Sequence, residues 1–180
     1  MILGIQKLHE LVKEINLVEN LCDRELNNPE GAGFDLRLGK LHKISGRGFM
    51  GLEERSTPEA ELIAQFNETK KSSVIIKPGE CFLATIVEKV NFPMNLTSIM
   101  TLRSTFYRSG IMMQGGNIAP GYKGELSFLL FNAGPCEFEV EMGSRIVHIV
   151  FWEVLGEGNQ YRGQWQGGRV SSDNKKEVQV

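Results

Sequence analysis

Two arginines and two hydroxyls fall within one short stretch, Arg103-Ser104-Thr105-Phe106-Tyr107-Arg108, directly ahead of Ser109-Gly110. Guanidinium forks pair with phosphate oxygens, and hydroxyls and exposed amides take what remains, so this cluster suits a polyphosphate. By residue type alone, a strand-end salt-bridge cluster is the plainer reading. A second stretch, Gly115-Gly116-Asn117-Ile118-Ala119-Pro120-Gly121-Tyr122-Lys123-Gly124-Glu125-Leu126, carries a Pro-Gly turn. Pro120 fixes φ and Gly121 permits positive φ, which brings backbone amides and the Tyr122 ring to one point. Such a turn holds a flat base or a sugar with mainly main-chain groups. Asp35 stands inside Gly31-Ala32-Gly33-Phe34-Asp35-Leu36-Arg37-Leu38-Gly39, where it serves equally as a turn cap. Near the end, Tyr161-Arg162-Gly163-Gln164-Trp165-Gln166-Gly167-Gly168-Arg169 offers aromatic faces, a guanidinium and flexible glycines. A segment of that composition is ordinarily solvated chain. It is also what a lid over a ligand requires.

In order and spacing these blocks, with Gly143-Ser144-Arg145-Ile146-Val147-His148-Ile149-Val150-Phe151, resemble the dUTPase and dCTP deaminase superfamily. The resemblance spans roughly residues 15–170, and Leu17-Val18-Glu19-Asn20-Leu21 and the tail are similar to the deaminase branch. It implies an all-β, distorted jelly-roll barrel with a short N-terminal helix, assembled as a homotrimer with its sites between subunits. It further implies a deoxynucleoside triphosphate as ligand, with Mg2+ held through the triphosphate and water rather than by protein side chains. Arg103, Ser104, Thr105 and Arg108 match the phosphate-binding block, with Thr105 where relatives have a second serine. Gly115, Gly116, Asn117 and Ile118 match the groups that read the base. Tyr122 matches the ring that packs on deoxyribose, and Ser127 a site-facing strand position. Tyr161, Gln164, Trp165 and Arg169 match the lid, which divides the chain into a domain over 1–158 and a lid over 159–180.

Two departures bear on the chemistry. The superfamily's hydrolytic branch has an aspartate where this chain has Ala119, and its deaminating branch a glutamate where this chain has Leu129. Neither replacement accepts a proton. Asp35, which in the family lies near the triphosphate and its metal, and Glu125 are the substitute bases within reach. A strand over 125–131 would put Glu125 on the face of Ser127 and Leu129 by the two-residue period. The reading is therefore a dUTP hydrolase releasing dUMP and pyrophosphate, with dUTP favoured over dCTP. The alternatives are a nucleotide-binding regulator without turnover, and a dCTP deaminase, which Leu129 disfavours.

The elements that must position these residues show in the apolar pattern. Ile5, Leu8, Leu11, Val12 and Ile15 form one helical stripe. After Pro29, short β-branched and aromatic runs recur between Gly and Pro at 34–38, 74–76, 81–90, 98–102, 126–131, 136–140 and 145–154, the rhythm of an antiparallel barrel or jelly roll. Residues 45–72 are less regular, with a short helix expected at Thr57-Pro58-Glu59-Ala60-Glu61-Leu62, and the polar chain from Gly156 onward reads as a mobile tail.

With 180 residues, a net charge of −2 and no basic run, the chain has the size of one domain and no nucleic-acid footprint. Three well-separated cysteines, Cys22, Cys81 and Cys136, read as ordinary thiols of a cytoplasmic protein, and no apolar run is long enough to span a membrane. His148, inside an apolar run, reads as a core histidine with no metal or catalytic duty.

Overall fold

The computed structural model describes residues 1–179. The first part of the chain forms α1 (Ile5–Ile15), β1 (Val18–Glu19), α2 (Asp23–Asn27), β2 (Phe34–Ser45), β3 (Phe49–Met50), β4 (Glu54–Ser56), β5 (Glu59–Gln65), β6 (Ser73–Ile76), β7 (Cys81–Ile86) and β8 (Lys89–Asn91). Then come β9 (Leu96–Leu102), α3 (Ser104–Arg108), β10 (Ile111–Gln114), β11 (Lys123–Gly124), β12 (Ser127–Asn132), β13 (Phe138–Glu141), β14 (Arg145–Glu153) and β15 (Glu177–Val178). The expected strands are present, and α1 covers the predicted helix with Leu8 wholly buried.

The main sheet runs β10-β12-β7-β2-β14-β9, every pair antiparallel, with β5 added along β2. Its two ends nearly meet. Ser98 on β9 exchanges backbone hydrogen bonds with Ile118 just beyond β10, at 2.9 and 3.2 Å. That bridge pins the Pro-Gly turn to the barrel rim. Inside, Phe151 packs between Phe34 and Phe92, with ring centroids 6.2 and 5.4 Å away. These rings and Leu36, Leu38, Leu41, Leu130 and Ile149 make the dry centre that fixes strand register. No helix among the described residues is long and apolar enough to cross a membrane.

Residues 57–62 form no helix. From Glu59 they are strand β5, pairing with β2 over Lys40–Ser45. The reason lies in β2, which runs on well past Leu38 and leaves an edge that must be paired. Gly39 permits this extension. A side chain there would meet the Ile86 carbonyl oxygen at 2.6 Å, and the β2–β7 register shifts between Leu38 and Lys40.

The tail also differs from expectation. It lies along the body: β15 pairs with β4, β4 with β3, and Ser171 and Ser172 are buried against Thr57 and Pro58. Their hydroxyls satisfy backbone groups of the 57–58 turn, so the excursion and the tail form one three-stranded annex. Each lacks its own core and completes the other's hydrogen bonds.

Across β2, Arg37 donates from its backbone N–H and its Nε to the fully buried carboxylate of Glu88, at 2.9 and 2.7 Å. Burial nonetheless raises the Glu88 pKa above its ordinary value, the arginine contacts opposing it.

Candidate functional site

The Pro-Gly turn folds as its residues dictate. Tyr122 N–H donates to the Ala119 carbonyl at 3.2 Å, with Gly121 at φ +76° as a type II turn requires. Beside it lies a cavity of about 230 Å³, walled by Gly116, Asn117, Ile118, Ala119, Tyr122, Leu126, Ser127 and Met100, with Tyr161 and Trp165 from the tail. Gly115 stands behind the wall, facing Phe128 and Met100, whereas Gly116 has open space where a side chain would be. Ligand cavities commonly run from about 300 Å³ upward, so this one suits a base with part of its sugar rather than a whole nucleotide.

Tyr122 is 7% exposed and donates its hydroxyl to the Glu125 carbonyl at 2.6 Å. The Tyr161 ring meets it edge-on at 5.3 Å. Burial, reinforced by Tyr161, pushes the Tyr122 pKa up to about 12, so the phenol stays neutral.

The tail is latched over this cavity. Tyr161 N–H donates to the Pro120 carbonyl at 2.8 Å, and the Gln166 side chain donates to the Gly121 carbonyl and accepts from the Lys123 N–H, both at 3.0 Å. Gly167 N–H then donates to the Lys123 carbonyl at 2.8 Å. Here two backbones cross so closely that a side chain on Gly124 would meet the Gly167 carbonyl carbon at 2.5 Å. Gln166, the latch itself, carries no signal in the sequence. Of the expected lid residues, Tyr161 and Trp165 reach the cavity. Gln164 instead accepts from Arg55, and Arg169 is paired with Glu177 at 2.6 Å, which fixes the annex.

Deleting residues 159–180 tests this latch. The barrel should remain folded while amide exchange in residues 46–58 accelerates, and the Tyr122 phenol should titrate back toward the ordinary value near 10. An unchanged phenol titration would show that the tail does not cover Tyr122.

A second cavity, about 290 Å³, is lined by Glu30, Gly31, Asp35, Arg103, Ser104 and His148. Strand pairing builds it, since β14 against β2 sets His148 directly opposite Asp35. The Asp35 carboxylate, 2% exposed, contacts His148 Nδ1 at 2.9 Å, Arg145 Nη1 at 3.0 Å and the Arg103 guanidinium. Its backbone N–H donates to buried Glu25 at 3.0 Å. Gly33 is obligatory, because a side chain would collide with the Ile149 carbonyl oxygen at 2.0 Å. Desolvation lowers the Arg103 pKa, with Arg145 nearby adding to the effect.

Several expectations change here. Asp35 lines the second cavity but is 2% exposed, its carboxylate paired with Arg103, Arg145 and His148. Glu125 lies outside β12, lines neither cavity, and is paired with Lys40 at 2.7 Å, because that strand begins only at Ser127. Thr105 and Arg108 sit on the exposed side of α3, where Arg108 lies 5.9 Å from the Tyr107 ring, and line neither cavity. His148 is no core histidine. Its side chain is 25% exposed and lines the Arg103 cavity. Leu129 is half-buried on β12, across from Gln114 and Leu83.

Among the described residues no group of three or more His, Cys, Asp or Glu gathers as a metal site. Of the two carboxylates lining the second cavity, Asp35 is paired with guanidinium groups and Glu30 is exposed, 3.4 Å from Arg24.

The profile of the dCTP deaminase-like family matches residues 2–154. A Methanothermobacter thermautotrophicus protein named "Probable deoxyuridine 5'-triphosphate nucleotidohydrolase" is 31% identical over 166 residues, covering 92% of this chain and 99% of that one. The dCTP deaminase of Pyrococcus furiosus is 29% identical, covering 92% and 94%. The crystal structure of 2'-deoxycytidine 5'-triphosphate deaminase from Agrobacterium tumefaciens superimposes with a TM-score of 0.63 at 18% identity, covering 83% of this chain and 46% of that one. The shared barrel is a matter of fold.

Proposed function

The chain belongs to the dCTP deaminase-like family, and from that premise we propose that it is a nucleotide-metabolising enzyme that hydrolyses dUTP to dUMP and pyrophosphate. One observation carries the choice between hydrolysis and deamination. The cavity that takes the base is lined by no carboxylate, histidine or lysine. Attack on a cytosine ring needs a group that shuttles protons beside it, and Leu129 supplies none. The charged and hydroxyl groups gather at the second cavity, where Arg103 and Ser104 suit phosphate oxygens.

In this reading Gly116, Asn117 and Ile118 present main-chain groups to a uracil. Tyr122 packs on the deoxyribose and crowds out a 2′-hydroxyl, and Tyr161 and Trp165 close over it. The two cavities share no lining residue. A trimer that sets one chain's base cavity beside a neighbour's arginine cavity joins them, and it brings Thr105 and Arg108 into reach of phosphates. Magnesium arrives with the nucleotide.

A second reading, a nucleotide-binding regulator without turnover, rests on Ala119, which places a methyl group at the turn. Pyrophosphate release from dUTP, dCTP, dTTP and UTP separates the two, with the preparation sized by light scattering. The hydrolase reading expects turnover with dUTP, little with UTP, and a particle three times the 20.2 kDa chain. If only the Ala119→Asp variant turns over, the regulator reading stands.

A further inference from the structure

Hydrolysis at a phosphate chain needs a group to take a proton from the attacking water; Ala119 has none to offer, Glu125 is paired with Lys40, and Asp35 is paired with guanidinium groups. We infer that His148, held by Asp35, is the general base of this chain. The inference rests on the hydrolase reading.

The geometry has three parts. First, Asp35 Oδ1 lies 2.9 Å from His148 Nδ1. A carboxylate there fixes the tautomer with the proton on Nδ1 and leaves Nε2 with its lone pair free. Second, the described hydrogen bonds of the ring are made through Nδ1 alone, and the ring forms part of the wall of the cavity that holds Arg103 and Ser104. Third, the glycines of residues 31–33 make room for that edge of the ring. A side chain on Gly33 would stand 2.8 Å from Nε2, and one on Gly31 3.9 Å from it. The ring is thus oriented, open on one nitrogen, and beside the two groups that suit phosphate.

The step balances without a further reactant. Nε2 takes a proton from water as its oxygen bonds to the α-phosphorus. The bond from that phosphorus to the bridging oxygen breaks, and pyrophosphate leaves carrying the electron pair. Asp35, between Arg145, Arg103 and the imidazole, stabilises the imidazolium that forms, and the proton then passes to solvent.

The charged groups facing His148 are Asp35 on β2, Arg24 and Glu25 on α2, Glu30 in the following loop, Arg103 ahead of α3 and Arg145 on β14. Burial lowers the His148 pKa from its ordinary 6.5, with Arg103 acting in the same sense and Glu25 and Glu30 opposing. Burial thus favours the neutral imidazole, the form able to accept a proton.

The test compares the full chain with its His148→Gln variant, which keeps a donor toward Asp35 and loses the base. The kcat of the variant should fall by about 10²–10⁴-fold. The wild-type acid limb should vanish from the pH profile, and affinity for α,β-imido-dUTP should be unchanged. Independently of activity, the His148 imidazole signals, one set of three in the protein, should shift when that analogue binds. Turnover by the variant with the same acid limb, or an imidazole indifferent to the analogue, overturns the assignment of His148 alone. A wild-type chain that binds dUTP without releasing pyrophosphate overturns the hydrolase reading and the base with it.

Discussion

Arg103→Ala should bind dUTP more weakly by about 2–5 kcal/mol, the usual cost of truncating a hydrogen-bonded charge that the bound ligand desolvates. That is at least about 30-fold in Kd. Arg103 is the cation lining the second cavity, and its backbone N–H is anchored to the Ile146 carbonyl at 2.9 Å, so the guanidinium starts from a fixed base. Arg103→Lys restores the charge without the two-pronged fork and should recover only part of the loss. The fold should tolerate both changes, because Asp35 keeps Arg145 and His148 as partners. Calorimetric titration with α,β-imido-dUTP measures the effect. Wild-type affinity in Arg103→Ala would place the phosphates elsewhere.

Arg37→Met should cost stability instead, by about 3–5 kcal/mol, because it leaves the buried Glu88 carboxylate without its cation and with backbone N–H donors alone. In a domain of this size that lowers Tm by about 6–20 °C. The pH dependence has a definite sign. The folded pKa of Glu88 lies above the 4.5 of an ordinary glutamate, so folding favours the protonated form. Stability from this group is complete below about 4.5 and is lost as pH rises through the folded pKa. Without the guanidinium, only backbone N–H groups, those of residue 37 and of Glu88 itself, oppose desolvation, and that loss deepens. The variant should therefore be more damaged at pH 8 than at pH 5 when both are melted by circular dichroism. Adding Glu88→Gln should return much of the stability and flatten the pH dependence. An equal deficit at the two pH values would mean that Glu88 ionises without penalty.

Local chemistry was legible in the chain and distant pairing was not. Pro120-Gly121 dictates its turn through backbone sterics alone, so the wall of the first cavity followed from the residues themselves. The stripe of α1 and the apolar runs of β2, β7, β9, β12 and β14 were equally local, each a periodicity read over a few positions. Asp35 and His148 meet only because β14 pairs with β2 in one register, which no local pattern encodes. An alternating apolar strand therefore disguised a cavity residue as a core residue. Glu125 failed in the opposite way. Extending β12 by two residues put its carboxylate on the wrong face, and the Lys40 that claims it comes from a distant strand. Residues 57–62 have mixed propensity, and the free edge of β2 decided their conformation. The polar tail looks solvated by composition, although its hydrogen bonds end in the 46–58 annex.

The β15–β4 pairing also sets an order of events during synthesis. Residues 46–58 leave the ribosome early, and their partner strand only after all of the barrel strands have been made. Until then β3 and β4 are a two-stranded ribbon, too small to be stable alone. Tyr161 and Trp165, which wall the first cavity, lie on the same late segment, between the barrel and β15. The growing chain can thus bury its core and fix the Asp35–His148 register while its first cavity stays uncovered. The enclosed site is the last part to form and, having the most distant closing contacts, the first expected to open.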